Sequence, residues 1–261
     1  MKNIEVKVLN PEVITDAEAM MVAMARLTQR GHTIKNMEDF EALIAQPYKE
    51  STAKAMCRLP HPTIQKFAAV NVAVVGLSRR ALGQITRHQN EVKYMSSSLQ
   101  YSDYSDEGQY VVPYEITKLD VEGEMNLKHG MGDFHKNAYL RTCNDAQLTY
   151  ESAIRQGVPH DAASYMLPQG LRGVLLISAT PYQLKHMISQ RTCSRNTLET
   201  QYIMLKIWEQ LYPTSLMFQD CGPTCTQAGG SCQEGRMSCG VVPEYKDPTE
   251  FLNDAFRYIR K

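Results

Sequence analysis

Apolar and polar positions alternate at the start of the chain. Residues 3–8, Asn-Ile-Glu-Val-Lys-Val, repeat with a period of two and predict a strand. The period then lengthens. Thr15-Asp16-Ala17-Glu18 has the form of a capping box, with Thr15 as N-cap and Glu18 reaching back. The predicted helix carries Met20, Met21, Met24 and Leu27 on its apolar side and stops at Gly31. Asn36 caps a second helix with Phe40, Leu43 and Ile44 inward, closed by Pro47. A shorter helical piece covers residues 52–59, and His61-Pro62-Thr63 is a turn. Residues 67–75 are rich in β-branched and small side chains and predict a strand buried on both faces or nearly so. Ser78 caps a short helix that delivers Gln84, Arg87 and His88. Gln84 and Arg87 are read as sharing one helical face.

Beyond it, residues 90–118 read as irregular, with a short extended piece near Tyr110, Val111 and Val112. One or two long helices fill residues 120–156 and end at Gly157. Pro159 opens a helical turn that Pro168 closes. Val174-Leu175-Leu176-Ile177 predicts a second buried strand within residues 170–179. Pro181 starts a helix running to about Arg191. A further helix over residues 195–211 carries Leu198, Tyr202, Leu205 and Trp208. The elements mix strands and helices without a clean linker. They are read as one α/β (α+β) domain over residues 1–261 with a Cys-rich tail from about residue 214.

Composition narrows this picture. The 261 residues can bury a sizeable core, and a formal net charge of +0 provides no global field for a nucleic-acid polymer or an anionic membrane. No apolar run is long enough to span a bilayer, and the start lacks the apolar core of a signal peptide, so a soluble, cytoplasmic protein is expected. Seven cysteines, three of them scattered at Cys57, Cys143 and Cys193, argue for free thiols rather than a disulfide framework.

The chemistry concentrates in a few stretches. Arg87-His88, followed by Ser96-Ser97-Ser98-Leu99-Gln100-Tyr101-Ser102, is read either as a solvated turn or as a cradle for an anionic or polyhydroxyl ligand. A guanidinium fork, hydroxyls and loop amides suit phosphate. Cys221, Cys225, Cys232 and Cys239 are spaced Cys-x3-Cys-x6-Cys-x6-Cys, without the tight paired knuckles of zinc sites. They are read as reduced thiols packed inside a Gly-rich loop, with no metal. Cys193 lies between Arg191 and Arg195, whose charges would favour a thiolate, but it is read first as a small apolar residue at a helix junction. His186 falls on a helix whose inward face holds Leu184, Met187 and Ile188, where a histidine is usually structural. No Gly-rich phosphate loop and no Gly-x-Ser-x-Gly elbow occurs.

Taken together, the separate stretches resemble the flavin-dependent thymidylate synthases. Arg87-His88-Gln89 resembles the family's Arg-His-Arg, and Ser98-Leu99-Gln100-Tyr101-Ser102 its Ser-x-Arg-Tyr-Ser. His61-Pro62-Thr63 is similar to its His-x-Ser/Thr. The run from Gly157 to Pro168 is similar to Gly-Val-Pro-x-Glu-x-Ala-Arg-x-x-Leu-Pro, and Arg191-Thr192-Cys193-Ser194-Arg195 to Arg-Thr-Cys-x-Arg. The resemblance spans roughly residues 60–240 in order. It implies a homotetramer whose subunits have a central, mostly antiparallel sheet flanked by helices. It also implies FAD as cofactor and reductive methylation of dUMP to dTMP, with methylenetetrahydrofolate and NADPH as co-substrates. By the same resemblance His61, Thr63, Arg87, His88, Gln89, His186 and Arg195 contact the flavin, with His61 also near the folate and Thr180 and Tyr182 at further flavin positions. Gln84, Ser96, Ser98, Leu99, Gln100 and Ser164 line the nucleotide. Arg191 is the catalytic cation at the pyrimidine carbonyl edge, and no cysteine nucleophile is required.

Several positions depart from the family pattern. Gln89, Gln100 and Ser164 stand where arginines are usual, Ser96 where glutamate is usual and Lys93 where serine is usual. Each charged hydrogen bond lost at such a site weakens binding by about 1.5–3 kcal/mol unless another group compensates. Lys93, Arg172 and Lys185 are the candidates to compensate. The departures keep two further expectations open: carbon-5 modification of another pyrimidine nucleotide, UMP or dCMP, and a flavin- or nucleotide-binding homologue without turnover.

Overall fold

The structure, a computed structural model, describes residues 4–59, 61–105, 110–116, 134–240 and 247–258. Four strands, β1 (Glu5–Val8), β2 (Val70–Ser78), β3 (Val92–Ser96) and β4 (Arg172–Ala179), form one sheet in the order β1-β2-β4-β3. The Arg79 amide bonds to Leu171 O and the Arg80 amide to Gln169 O, so β2 and β4 run antiparallel. The Ser97 amide bonds to Val174 O and the Thr180 amide to Glu91 O, which sets β3 antiparallel to β4 as well. The fold is thus the expected mixture of helices and a mostly antiparallel sheet.

The chain divides into two compact units. One comprises Met1–Glu5, Val74–Arg87 and Met95–Leu176; the other comprises Val6–Ala73, His88–Tyr94 and Ile177–Lys261. The first holds α4 (Arg79–Ile85), α5 (Phe134–Arg155) and α6 (His160–Ala163). Tyr150, Ala153 and Ala163 are buried there under Tyr104, Ile154, Val158 and Leu167. The second holds α1 (Glu12–Arg30), α2 (Met37–Ala45), α3 (Glu50–Cys57), α7 (Pro181–Arg191), α8 (Leu198–Leu211) and α9 (Pro248–Tyr258). In this unit α1 packs on α2 and α3, and α8 packs on α7 and α9. Trp208 is fully buried on α8, and its Nε1–H donates to Phe218 O at 2.8 Å. No described helix is long and apolar enough to cross a membrane.

Local signals placed several ends correctly. Asn36 accepts from the Asp39 amide and Ser78 from the Ala81 amide, and the helix expected from Pro181 starts there, with Thr180, not foreseen as its cap, accepting from the Gln183 amide. Others were overruled by packing. The first helix begins at Glu12 after Pro11, not at Thr15. Glu18 does not reach back to cap it. It is buried and accepts from the Tyr48 hydroxyl, the Ser215 hydroxyl and the Leu216 amide, which satisfies a carboxylate that would otherwise be costly to bury. α3 begins and ends two residues before the expected range. Helix α4 stops at Ile85, so Gln84 is helical while Arg87 stands in the following turn, and the two do not share a helical face.

The strands differ in a consistent way. β2 starts at Val70, leaving Phe67 exposed outside it. β3 forms where irregular chain was expected. Neither long strand is buried on both faces: Val75 on β2 and Val174 and Leu176 on β4 are 45%, 39% and 42% exposed, beside buried Val74, Leu175 and Ile177. The part of the expected 120–156 helix before Phe134 lies outside the described residues.

One glycine tests this packing. Gly222 has φ +90, and a Cβ there would lie 2.7 Å from the Trp208 ring, which the bond to Phe218 holds in place. Gly222→Ala should therefore destabilise the protein by about 2–4 kcal/mol, combining backbone strain with overpacking. Gly31→Ala meets nothing within 4 Å at a helical φ of -55 and should be neutral or slightly stabilising. Urea denaturation of the two variants checks the contrast; equal midpoints would contradict it.

Candidate active site

Three of the expected residues meet in the second unit. Helix α7 is specified locally: Thr180 caps it, Pro181 occupies its first turn, and Leu184, Met187 and Ile188 bury one side. That register leaves Arg191 as the last helical residue, where the helix dipole favours a cation. Arg191 Nε–H donates to His88 Nε2 at 2.9 Å, and its Nη1–H donates to Asn196 Oδ1 at 3.1 Å. Asn196 is itself held, because its amide donates to Gln190 O at 2.7 Å and to Cys193 O at 3.3 Å. The guanidinium plane is therefore fixed from two sides.

His88 is buried, with 7% of its surface exposed. Burial, the Arg191 charge and His186 together lower its pKa to about 4. The ring is neutral near pH 7, and its Nε2 lone pair is the acceptor for Arg191, which places the ring proton on Nδ1. His186 stands edge-on to His88, with ring centroids 5.6 Å apart and planes at 83°. His186 is exposed on α7 rather than part of its inward face, and burial followed by the Arg191 charge lowers its pKa too. Tyr94 adds a phenol whose OH lies 4.0 Å from Met187 Sδ, its pKa raised to about 12 by burial.

The turn that carries His88 is anchored by Glu91. This residue has φ 54, uncommon for a side chain of its size, and its carboxylate pairs with Lys66 and accepts from the Thr180 hydroxyl at 3.0 Å. Lys66 also lies over the Tyr182 ring, 5.0 Å from its centroid. Lys185 donates to Gln65 Oε1 at 3.1 Å. His61 and Thr63 are exposed at the short 3-10 turn Pro62–Gln65, and Gln89 is exposed next to His88. Arg195 turns to the tail, where Nη1 donates to Glu234 Oε2 at 3.0 Å and to Met237 O.

Cys193 is half-buried at the junction after α7, and burial is the largest cause raising its pKa; neighbouring arginines do not make it a thiolate. Cys232 and Cys239 are exposed, not packed inside as expected.

The first unit holds the other candidates. Gln84 is half-buried on α4, and Arg87 is exposed in the turn after it. Ser96 ends β3, and in the loop that follows the Gln100 amide donates to Ser98 Oγ at 3.1 Å, with Leu99 half-buried between them. Ser164 Oγ donates to Asp161 O at 2.7 Å, closing the turn after α6. Arg172 lines a cavity of about 270 Å³ with Ser97 and Tyr104, its Nε–H donating to Gly76 O at 3.3 Å. Asn196, Glu91 and Tyr94 were not singled out in the sequence. Only Asn196 left a signal there, as an amide close behind the arginine it orients.

Comparisons with known proteins point to one family. The family model described as "Thymidylate synthase complementing protein" matches residues 12–214. The flavin-dependent thymidylate synthase of Geobacter sulfurreducens is 27% identical over 235 residues, covering 88% of this chain and 92% of that protein. The flavin-dependent thymidylate synthase of Clostridium tetani is 24% identical over 253 residues, covering 94% and 97%. Among solved structures, the UMP/dUMP methylase PolB from Streptomyces cacaoi, bound with 5-Br dUMP, superposes with a TM-score of 0.62 at 16% identity, covering 83% of this chain and 94% of that one.

The pKa of His88 gives a test. In the unfolded chain the ring titrates near 6.5, in the folded chain near 4, so acid protonates the unfolded state first. The stability held by the neutral ring is complete above pH 6.5 and is lost as the pH falls toward 4, by up to about 3 kcal/mol. His88→Asn should flatten the thermal-stability profile in this window relative to the parent protein. Parallel profiles for the two proteins would show that the ring is not held neutral.

Proposed function

The chain belongs to the thymidylate synthase complementing protein family, the flavin-dependent thymidylate synthases, and from that premise we propose that it reductively methylates carbon 5 of dUMP to give dTMP. The proposed cofactor is FAD, with methylenetetrahydrofolate as carbon donor and NADPH as reductant. The observation that carries the reading is the Arg191 guanidinium, held by a neutral histidine and an asparagine. A preorganised cation of this kind stabilises negative charge as it develops on a pyrimidine carbonyl edge, without reorganisation during the step. A protonated His88 would repel Arg191 and lose its acceptor lone pair, so the depressed pKa keeps the cation aimed across the physiological range.

The donor set suits a flavin. His61, Thr63 and His186 are exposed in the second unit, and Arg87 is exposed in the first. Imidazole, hydroxyl and guanidinium donors match the polar ring edge and the pyrophosphate of FAD. His61, Thr63, Arg87, His88, Gln89, His186 and Arg195 are the proposed flavin residues. Bound flavin supplies the redox chemistry, and the protein supplies binding and electrostatics. Gln84, Ser96, Ser98, Leu99, Gln100 and Ser164 are the proposed nucleotide residues. Arg172 is the proposed replacement for the missing phosphate-binding arginines, since its guanidinium lines a cavity beside the serine run. The apolar side chains of Val75, Met95, Val174 and Leu176 are exposed on β2, β3 and β4 of the first unit, which supports the proposed homotetramer.

A second reading rests on Gln100 and Ser164. With neutral side chains in place of arginines the pocket accepts another pyrimidine nucleotide, and the structural neighbour is described as acting on both UMP and dUMP. A panel of dUMP, UMP and dCMP with FAD-loaded protein separates the readings: turnover of dUMP supports the first, turnover of UMP or dCMP alone the second, and none refutes both.

The division of roles has its own test. Arg191→Ala should slow the single-turnover rate at saturating nucleotide by about 10²–10³, as for loss of one preorganised donor. Ser98→Ala should weaken nucleotide binding and leave that rate close to the parent, because a phosphate contact exists in ground and transition states alike. Equal effects on the saturated rate would refute the assignment.

A further inference from the structure

A cavity of about 520 Å³ opens in the second unit at the C-terminal end of α7. The α7 to α8 junction lines one part of it, with Cys193 and Asn196, and the tail lines another, with Cys225, Cys232 and Glu234. Cys239 is near enough to interact electrostatically with Cys193 and Cys225. Cys221, grouped with the tail thiols by sequence, is not among them: it is buried, with its Sγ 3.8 Å from Lys185 O. The spatial set is therefore Cys193, Cys225, Cys232 and Cys239, none of them in a disulfide. Among the described residues no three His, Cys, Asp or Glu side chains are placed to hold a metal ion.

The thiols are not equivalent. Cys232 is exposed, and its Sγ lies 3.3 Å from Ser238 Oγ. That hydroxyl, the Glu234 amide and the Arg195 charge hold its pKa below the ordinary thiol range. Cys193 and Cys225 are half-buried, and burial raises both. Arg195 also ties the tail to the junction through Glu234 and Met237, so the exposed thiol and the half-buried pair stay around one cavity.

We propose that this cavity is a thiol–disulfide exchange site, in which Cys232 reacts with a low-molecular-weight disulfide and Cys193 or Cys225 resolves the product. The Cys232 thiolate attacks one sulfur of the small disulfide, forming a mixed disulfide and releasing one small thiolate. The resolving cysteine loses its proton to solvent and attacks the Cys232 sulfur, expelling the second small thiolate. The protein pair is oxidised by two electrons, and the small disulfide is reduced to two thiols.

The test uses reduced, full-length protein. Brief iodoacetamide labelling with peptide mass spectrometry should show Cys232 alkylated at least about tenfold faster than Cys193 or Cys225. Oxidised glutathione should then give a disulfide from Cys232 to Cys193 or Cys225, with no glutathione retained, and Cys232→Ser should abolish that link. Cys239→Ser should leave the link intact, which guards against a general effect of losing one tail thiol. Persistent glutathione on Cys232, equal labelling rates, or one zinc per chain that protects all four thiols would each overturn the proposal.

Discussion

The hydrogen bond from Arg191 Nε–H to His88 Nε2 is the constraint on which the candidate site depends. It requires an imidazole that remains neutral beside a permanent cation. Burial supplies that condition, and the cation reinforces it, since a second positive charge at 2.9 Å is unfavourable in a poorly solvated position. Each partner thereby sets the state of the other: the arginine keeps the ring uncharged, and the uncharged ring orients the arginine.

Both partners need placing to better than an ångström, and separate pieces of chain do it. Thr180 and Pro181 start α7 in a register that ends at Arg191, and Asn196 folds back on the junction to take a second donor. On the other side Glu91 adopts a left-handed backbone, and its carboxylate reaches Lys66 and Thr180. The same cap residue, Thr180, thus serves both the helix carrying Arg191 and the turn carrying His88. In the role proposed for Arg191, a guanidinium fixed before substrate arrives would spend its charge on the reaction instead of on its own reorganisation.

What the sequence revealed follows from how local each signal is. Helix α7 was legible because a proline at the first turn and an apolar face both fall within eleven residues, Pro181 to Arg191. The family motifs pointed to His88, His186 and Arg191 one by one. The bond between His88 and Arg191 was not legible, since 103 positions separate them. β3 was missed because Val92, Lys93, Tyr94, Met95 and Ser96 are short and poorly buried, and their strand state comes from pairing with β4. Glu18 looked like half of a capping box, but three tertiary donors outcompeted the local bond. The thiol set was misgrouped for the same reason: adjacency along the tail put Cys221 with its neighbours, whereas folding replaces it with Cys193.

The central claim is that His88 and Arg191 act as one unit in the chemical step. A double-mutant cycle measures this directly, using His88→Ala, Arg191→Ala and the double variant in single turnovers with saturating nucleotide and saturating FAD, so that any loss of flavin affinity is removed. If the ring serves by orienting the guanidinium, the double variant is no slower than Arg191→Ala alone, because nothing remains to be oriented. If the two single losses multiply in the double variant, the residues act independently and the account is wrong.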